Sequence, residues 1–250
     1  MTRILKIGGS ILTDKSRDMA ARPDEIRRAA EEIASRPQDL VLVHGAGSFG
    51  HIPARRFGLP EKFSPEGLMT THDCVARLNE MVLQALGEAG VACLPVHPLS
   101  CLTLREGRIE SFQLGPIKEM LKRGIMPVLH GDVAMDASRG SGIVSGDQLV
   151  SYLGKALFAE VVAVGCNVKG VLLFGQPLPL VRRSDLPAIE SSLGGSGGVD
   201  VTGGMKGKLL ELLDLADCGI SSLIFDAGRE GNIRRALLGE KVGTRVEGSA

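Results

Sequence analysis

The apolar positions of this chain fall into short runs, several of them followed by glycine-rich turns. Arg3-Ile4-Leu5-Lys6-Ile7 is a strand-like run carrying one lysine, and it turns at Gly8-Gly9-Ser10 before Ile11-Leu12. Residues 24–35 have amphipathic helical spacing, with Pro23 and Asp24 as start signals. Val41-Leu42-Val43-His44 has the continuous apolar pattern of a strand buried on both faces, then breaks into Gly45-Ala46-Gly47-Ser48-Phe49-Gly50-His51. Residues 65–90 predict a long helix with Leu68, Val75, Leu78, Val82 and Leu86 near one stripe. Met69 and Met81 are assigned to core packing, with a pocket for an apolar ligand as the alternative.

The second half continues in the same way. A short strand is predicted over 91–96, a β-hairpin over 102–112 broken at Glu106-Gly107, and a helix over 114–123 ended by Gly124. The strand at 125–130 runs into Gly131-Asp132, and a second glycine-and-acid turn at 142–147 leads into a helix through about 157. Strands follow at 160–165 and 171–174. Residues 177–198 are rich in Pro, Ser and Gly and predict a loop or small excursion. Residues 200–208 open a helix to about 218; a strand at 222–227, a helix at 232–238 and a strand at 244–246 complete the chain. Strand–helix–strand alternation predicts a parallel sheet, and with no internal repeat or separating linker the chain is read as one domain.

The turn after 41–44 carries the first chemical signal. Successive glycines leave bare N–H groups that form an anion cradle. Gly45-x-Gly47-x-x-Gly50 also matches the dinucleotide fingerprint, but that motif needs a following helix and an acidic residue about 20 positions on. Pro53 and Pro60 interrupt the following segment, and the region at that distance reads as helix rather than as a second strand.

Composition narrows the partners. Lys plus Arg equals Asp plus Glu at 29 each, and aromatic residues make up 3% of the chain, so neither a basic field nor a base-stacking surface points to nucleic acid. The cysteines at 74, 93, 101, 166 and 218 are scattered, without a C-x-x-C pair, and read as reduced core thiols of a cytosolic protein. No leader pattern precedes the first strand, and no apolar run approaches the ~20 residues of a membrane span.

Four glycine-rich turns now follow strands or open helices: those at 8–10, 45–50, 145–147 and 202–208. In an open parallel sheet, ligands gather where strand carboxyl ends meet helix N-termini. Lys6 is expensive to bury unless an anion or carboxylate meets it; otherwise it faces water from an edge strand. Lys206 and Lys208 accompany the last turn, which is not a Walker A loop because Leu209 stands where that motif needs Ser or Thr. Several such turns with lysines imply a ligand carrying several phosphates. His44, His97 and His130 sit near strand ends, but no His/Cys/Asp spacing supports a zinc site.

Lys6-x-Gly8-Gly9-Ser10, His44-Gly45-Ala46-Gly47-Ser48-Phe49-Gly50-His51, Ser145-Gly146-Asp147 and Asp200-Val201-Thr202-Gly203-Gly204-Met205 together resemble the amino acid kinase superfamily, and within it the archaeal-type isopentenyl phosphate kinases. The likeness runs from Ile4 to Val246. It implies a three-layer α/β/α sandwich with a mainly parallel central sheet, an acceptor-binding part over about 1–158, a nucleotide-binding part over about 159–250, and a homodimer. The implied reaction is ATP-dependent phosphorylation of isopentenyl phosphate to the diphosphate, with Mg²⁺, in mevalonate-type isoprenoid biosynthesis. Carried over by position, Lys6, Ile7, Gly8, Gly9 and Ser10 would hold the ATP phosphates, with Gly47 beside the transferred phosphoryl. Ala46, His51 and Gly146 would contact the acceptor phosphate. Lys15 resembles the transition-state lysine, Gly204 and Lys208 the nucleotide-phosphate residues, and Asp147 the acid that orients the lysines.

One departure stands out. Where the family has a Thr-Asp-Val-Asp-Gly-like stretch, this chain has Cys166-Asn167-Val168-Lys169-Gly170, losing two acids and gaining a lysine. That leaves nucleotide preference open and keeps a nucleotide-binding regulatory protein without turnover as one alternative. A fosfomycin-kinase-like enzyme is another, and carboxylate kinases fit less well. An ionised phosphate acceptor is already a nucleophile, so the task falls on lysines, amides and Mg²⁺ rather than on a general base.

Overall fold

In this computed structural model, which describes residues 1–173, 175–194 and 204–248, strand β1 (Arg3–Ile7) runs into the single-turn helix α1 (Gly9–Leu12). Helix α2 (Pro23–Ala34) holds Pro23, Asp24 and Glu25 in its first turn, where a missing N–H does no harm and negative charge meets the positive end of the helix. It leads to β2 (Leu40–His44), α3 (Gly47–Arg56) and the long α4 (Pro65–Glu88), whose start is capped by Ser64 Oγ accepting from the Gly67 N–H at 3.0 Å. Next come β3 (Cys93–Pro95), α5 (Pro98–Cys101), the hairpin β4 (Leu102–Arg105) and β5 (Arg108–Phe112), and α6 (Gly115–Lys122). Then follow β6 (Met126–His130), β7 (Asp132–Asp136), β8 (Gly140–Val144) and α7 (Gly146–Ala156). The chain continues through β9 (Val161–Cys166), β10 (Leu172–Leu173), β11 (Gln176–Pro177), β12 (Leu180–Val181) and α8 (Leu186–Gly194). It closes with α9 (Gly204–Ala216), β13 (Ser221–Asp226), α10 (Asn232–Leu237) and β14 (Thr244–Val246).

Among the described residues the main sheet has the order β12-β14-β13-β9-β1-β2-β6-β3, with only β13–β14 antiparallel. Successive strand residues point to opposite faces. Leu5, Ile7, Leu40 and Leu42 pack against Ile26 of α2, Leu78 of α4 and Ile233 of α10. Ile4, Val41, Val43 and Val162 pack against Leu149 and Leu153 of α7 and Leu212 of α9. Each such fully buried side chain contributes about 1.5–3 kcal/mol, and the two cores make the expected three-layer α/β/α sandwich. The alternation also puts Lys6 on the α7 face, and His44 and His130 on the α4 face. A smaller sheet, β5-β4-β7-β8, stands at the carboxyl edge of the main one.

Several local expectations change. Helix α3 runs through Pro53, which lacks only the N–H that would have met the Phe49 carbonyl. Met69 and Met81 are 68% and 42% exposed, neither core nor pocket, because the buried stripe of α4 passes beside them through Leu68, Val75, Leu78 and Val82. Asp132 and Gly142 lie in the β7–β8 hairpin rather than in bare turns. In the segment expected as a loop or small excursion at 177–198, the chain supplies β12 at the sheet edge and α8, while 195–198 lie outside the described residues. Of the cysteines, Cys166 is buried and Cys218 exposed, so they are not all core thiols. The strand expected at 171–174 is Leu172–Leu173, with Phe174 outside the described residues.

Candidate active site

Lys6 lies on a central strand, buried, and is not an edge-strand lysine facing water. Above it α7 begins, capped by Ser145 Oγ accepting from the Gln148 N–H at 3.1 Å, which places Asp147 in the first helical turn. Asp147 Oδ1 accepts from Lys6 Nζ at 2.7 Å and from Lys208 Nζ, on α9, at 2.9 Å. Lys208 Nζ also reaches Oδ2 at 3.0 Å. Burial, reinforced by the Lys208 charge, pushes Lys6 down to about 8 against the pull of Asp147. Burial works against Lys208 too, but Asp147 holds its pKa above the ordinary lysine value. The carboxyl of Asp147 is lowered despite burial, because two ammonium groups meet it.

The turns after β1 and β2 press backbone against backbone. A Cβ on Gly9 would lie 2.4 Å from the Gly47 nitrogen, and one on Gly45 would lie 2.4 Å from the Gly9 nitrogen, so only glycine fits at either position. Thr13 Oγ1 ties the turns together, donating to the Gly9 carbonyl at 2.8 Å and accepting from the Ser48 N–H at 3.0 Å. Helix starts leave N–H groups without intrahelical acceptors. Gly47, Gly146 and Asp147 hold such first-turn positions and line the site.

These elements enclose a cavity of about 450 Å³. Its floor holds Lys6, Gly8, Gly9, Ser10, Lys208 and Asp147; Lys15, Ala46, Gly47, His51, Gly146 and Gly204 also line it. Ile7 points into the core on the opposite face, its carbonyl engaged by the Gly45 N–H at 2.9 Å. Lys206 turns away to Glu190 at 2.8 Å, whereas Lys208 occupies the site. Residues 200–203 of the last glycine turn lie outside the described residues. Cys166, Asn167 and Val168, from the stretch that departs from the family pattern, line the cavity. His51 stands on α3 at the cavity rim with its side chain reaching solvent; partial desolvation and the charges of Lys15, Arg55 and Lys6 hold its pKa below the usual histidine value. Beyond it the wall turns apolar with Ala54, Val75, Val133, Ile143 and Val144. The expected Mg²⁺ finds no protein ligand set: both oxygens of Asp147 meet ammonium groups, and among the described residues no group of acids, imidazoles or thiols is arranged to hold a metal ion.

Behind the apolar wall lies a polar cluster whose arrangement no single motif foretold. Imidazoles of His44, His72, His97 and His130 pack together in tilted and edge-on contacts with centroid separations from 5.2 to 6.3 Å. His72 Nδ1 donates to Asp132 at 3.0 Å, which raises its pKa. His44 and His130 are fully buried, and burial lowers both. The visible signal is a repeated His-Gly at two strand ends, His44-Gly45 and His130-Gly131.

Residues 1–226 match the amino acid kinase family. The chain is 39% identical to an isopentenyl phosphate kinase of Methanothermobacter thermautotrophicus, with 98% of each chain covered. It is 33% identical to that of Methanocaldococcus jannaschii, with 99% of each covered. A solved structure described as an isopentenyl phosphate kinase superposes with a TM-score of 0.86 at 33% identity, covering 98% of this chain and all of the other. A substrate complex of an isopentenyl phosphate kinase superposes with a TM-score of 0.75 at 26% identity, covering 98% of this chain and 99% of that one. With its glycine cradle, buried lysines and near-full-length relatives, this chain belongs to the amino acid kinase family, in its isopentenyl phosphate kinase branch.

Proposed function

We propose that the protein transfers the γ-phosphoryl group of ATP to isopentenyl phosphate, giving ADP and isopentenyl diphosphate. The observation that carries this reading is the two-sided chemistry of one cavity: a floor of ammonium groups and bare amides, and beyond His51 a wall of aliphatic side chains. An acceptor with an anionic head and a short apolar tail matches both sides. An amino-acid acceptor would leave its second polar group against aliphatic carbon, unpaired.

In this reading a phosphate oxygen of the acceptor attacks the γ-phosphorus, the bond to the β,γ-bridging oxygen breaks, and ADP leaves with that oxygen. The acceptor phosphate is ionised at neutral pH, so no proton needs to be removed. Lys6, Gly8, Gly9, Ser10, Gly204 and Lys208 hold the nucleotide phosphates, and Gly47 lies at the moving phosphoryl. Lys15 meets its developing charge. Ala46, His51 and Gly146 hold the acceptor phosphate, whose charge draws His51 back toward its protonated form. A magnesium ion arriving with the nucleotide would help neutralise its phosphate charge, and among the described residues no cluster of acids, imidazoles or thiols would hold one independently.

The acceptor-binding part is placed at about 1–158 and the nucleotide-binding part at about 159–250. A cytoplasmic homodimer acting in mevalonate-type isoprenoid synthesis completes the reading, and light scattering on the purified chain tests the dimer. The main experiment is coupled ADP release with isopentenyl phosphate, fosfomycin, N-acetylglutamate and glutamate. Isopentenyl phosphate should give the highest kcat/KM. Preference for another acceptor overturns the reading, and no ADP release from any acceptor is the result for a regulatory protein that kept the fold.

A further inference from the structure

His44 and His130 are register neighbours, each the last residue of its parallel strand and each followed by a glycine of the site. Both side chains are 0% exposed. His44 Nδ1 lies 3.2 Å from the Gly45 carbonyl oxygen, and His130 Nδ1 lies 3.2 Å from that of Gly131. A carbonyl can only accept, so in both rings Nδ1 carries the proton. Burial keeps both rings neutral, so each Nε2 is left as an acceptor. His130 Nε2 accepts from His97 Nδ1 at 2.9 Å. His44 Nε2 lies 3.0 Å from Asn79 Oδ1. The two ends of an amide are interchangeable in position, and with Nδ1–H donated to Gly45 it is the –NH₂ of Asn79 that meets Nε2.

A trans peptide is planar, with its C=O and N–H pointing in opposite directions. Holding the Gly45 carbonyl down toward a buried ring therefore aims the Ala46 N–H away from the core, toward the cavity that Ala46 lines. Holding the Gly131 carbonyl sets the Gly131-Asp132 peptide, from which β7 departs to place Asp132 and Val133 in the same wall. Each ring bond also polarises its peptide, making its N–H a stronger donor. Glycines at 45 and 131 have no side chain to fix these peptides, so orientation must come from outside the turn.

We propose that His44 and His130 are positioning residues for the acceptor: through Nδ1–H···O=C bonds, His44 pre-aims the Gly45-Ala46 peptide whose N–H meets the acceptor phosphate, and His130 sets the Gly131-Asp132 peptide from which the acceptor wall departs. Neither touches the reacting atoms. The proposal rests on the acceptor-phosphate reading of the cavity.

The test uses paired substitutions in the full-length chain. In His44→Asn the side-chain –NH₂ falls where Nδ1 sits, preserving the donor to Gly45. In His44→Gln the amide falls near Nε2, keeping the Asn79 contact and losing the Gly45 bond. His44→Gln should raise KM for isopentenyl phosphate by roughly 10-fold or more, with KM for ATP moving less than about 2-fold; His44→Asn should stay within about 3-fold of the parent for both. A space-filling role gives the reverse order, since Gln is closer to His in volume, and moves both KM values together. Either that order or an unchanged acceptor KM in His44→Gln overturns the proposal. If the His44 variants lose cooperative melting, the same pair at His130 decides; collapse of both pairs overturns it by marking the histidines as supports of the fold. Should the parent prefer a different acceptor, the function reading fails, yet the same comparison on that acceptor's KM still decides the positioning role.

Discussion

Two buried polar clusters flank the carboxyl edge of the same sheet, on opposite faces. On the α7 face Lys6, Asp147 and Lys208 form a charged group, two ammonium ions on one carboxylate, with a net positive charge left over. On the α4 face His44 and His130 are buried as neutral rings that hold peptides by single N–H bonds. Burying unmatched charge is expensive, and the first cluster does so only where a polyanion would complete it. The second cluster needs orientation rather than charge, and a neutral ring supplies that without desolvating an ion. The difference teaches that this site separates electrostatic stabilisation from geometric aim.

The sharpest break is at the charged side. Asp147→Asn leaves two lysines facing each other and drives Lys6 further toward its neutral form. Turnover should fall on the order of 1,000-fold while cooperative thermal melting persists; a loss below about 10-fold would detach Asp147 from the site. Lys15→Ala should lower kcat on the order of 100-fold or more and leave ATP affinity nearly intact, as for a contact made in the transition state. Binding by calorimetry beside kcat checks it, and unchanged turnover would make Lys15 a solvated loop lysine.

His51→Ala tests the acceptor side. Losing a charge-assisted hydrogen bond to phosphate should cost about 1.5–3 kcal/mol, roughly 10- to 150-fold in kcat/KM for isopentenyl phosphate, with ATP binding barely changed. Normal kinetics in that variant would remove the phosphate contact.

A smaller effect is expected with pH. Lys6 is charged below about 8 in the free protein and neutral above it. The kcat/KM for ATP should therefore decline as pH rises through about 8. Bound phosphate favours the ammonium form, so kcat should hold to higher pH. A kcat/KM profile flat to pH ~10 would show that Lys6 keeps an ordinary lysine pKa. The smallest effect belongs to Lys206→Ala. Lys206 pairs with Glu190 outside the cavity, so kinetics should stay within about 2-fold.

Much of this was legible in the sequence because it is local. Apolar runs of five or six residues, prolines at helix starts and glycines after strand ends set the strands, helices and turns with few shifts. The resemblance placed Lys6, Asp147 and Lys208 in one site, although residues at 6, 147 and 208 share no local pattern. The misreadings were also local in cause. Pro53 reads as a breaker until packing holds a helix through it, and Met69 reads as core until the buried stripe of α4 is seen to pass beside it.

What the sequence by itself determined, then, was the class of fold and the chemistry its turns carry. A period of apolar residues specifies an element, and a run of glycine amides specifies affinity for anions. Tertiary structure showed how the two lysines part: Lys206 reaches Glu190 outside the cavity, while Lys208, the one the resemblance had matched, meets Asp147. It likewise decided that four histidines distant in sequence share one cluster, and that two of them hold the peptides at its edge. Hydrogen-bond direction and tautomer depend on neighbours brought together by strand register, and register between distant strands is written in no local stretch of the chain.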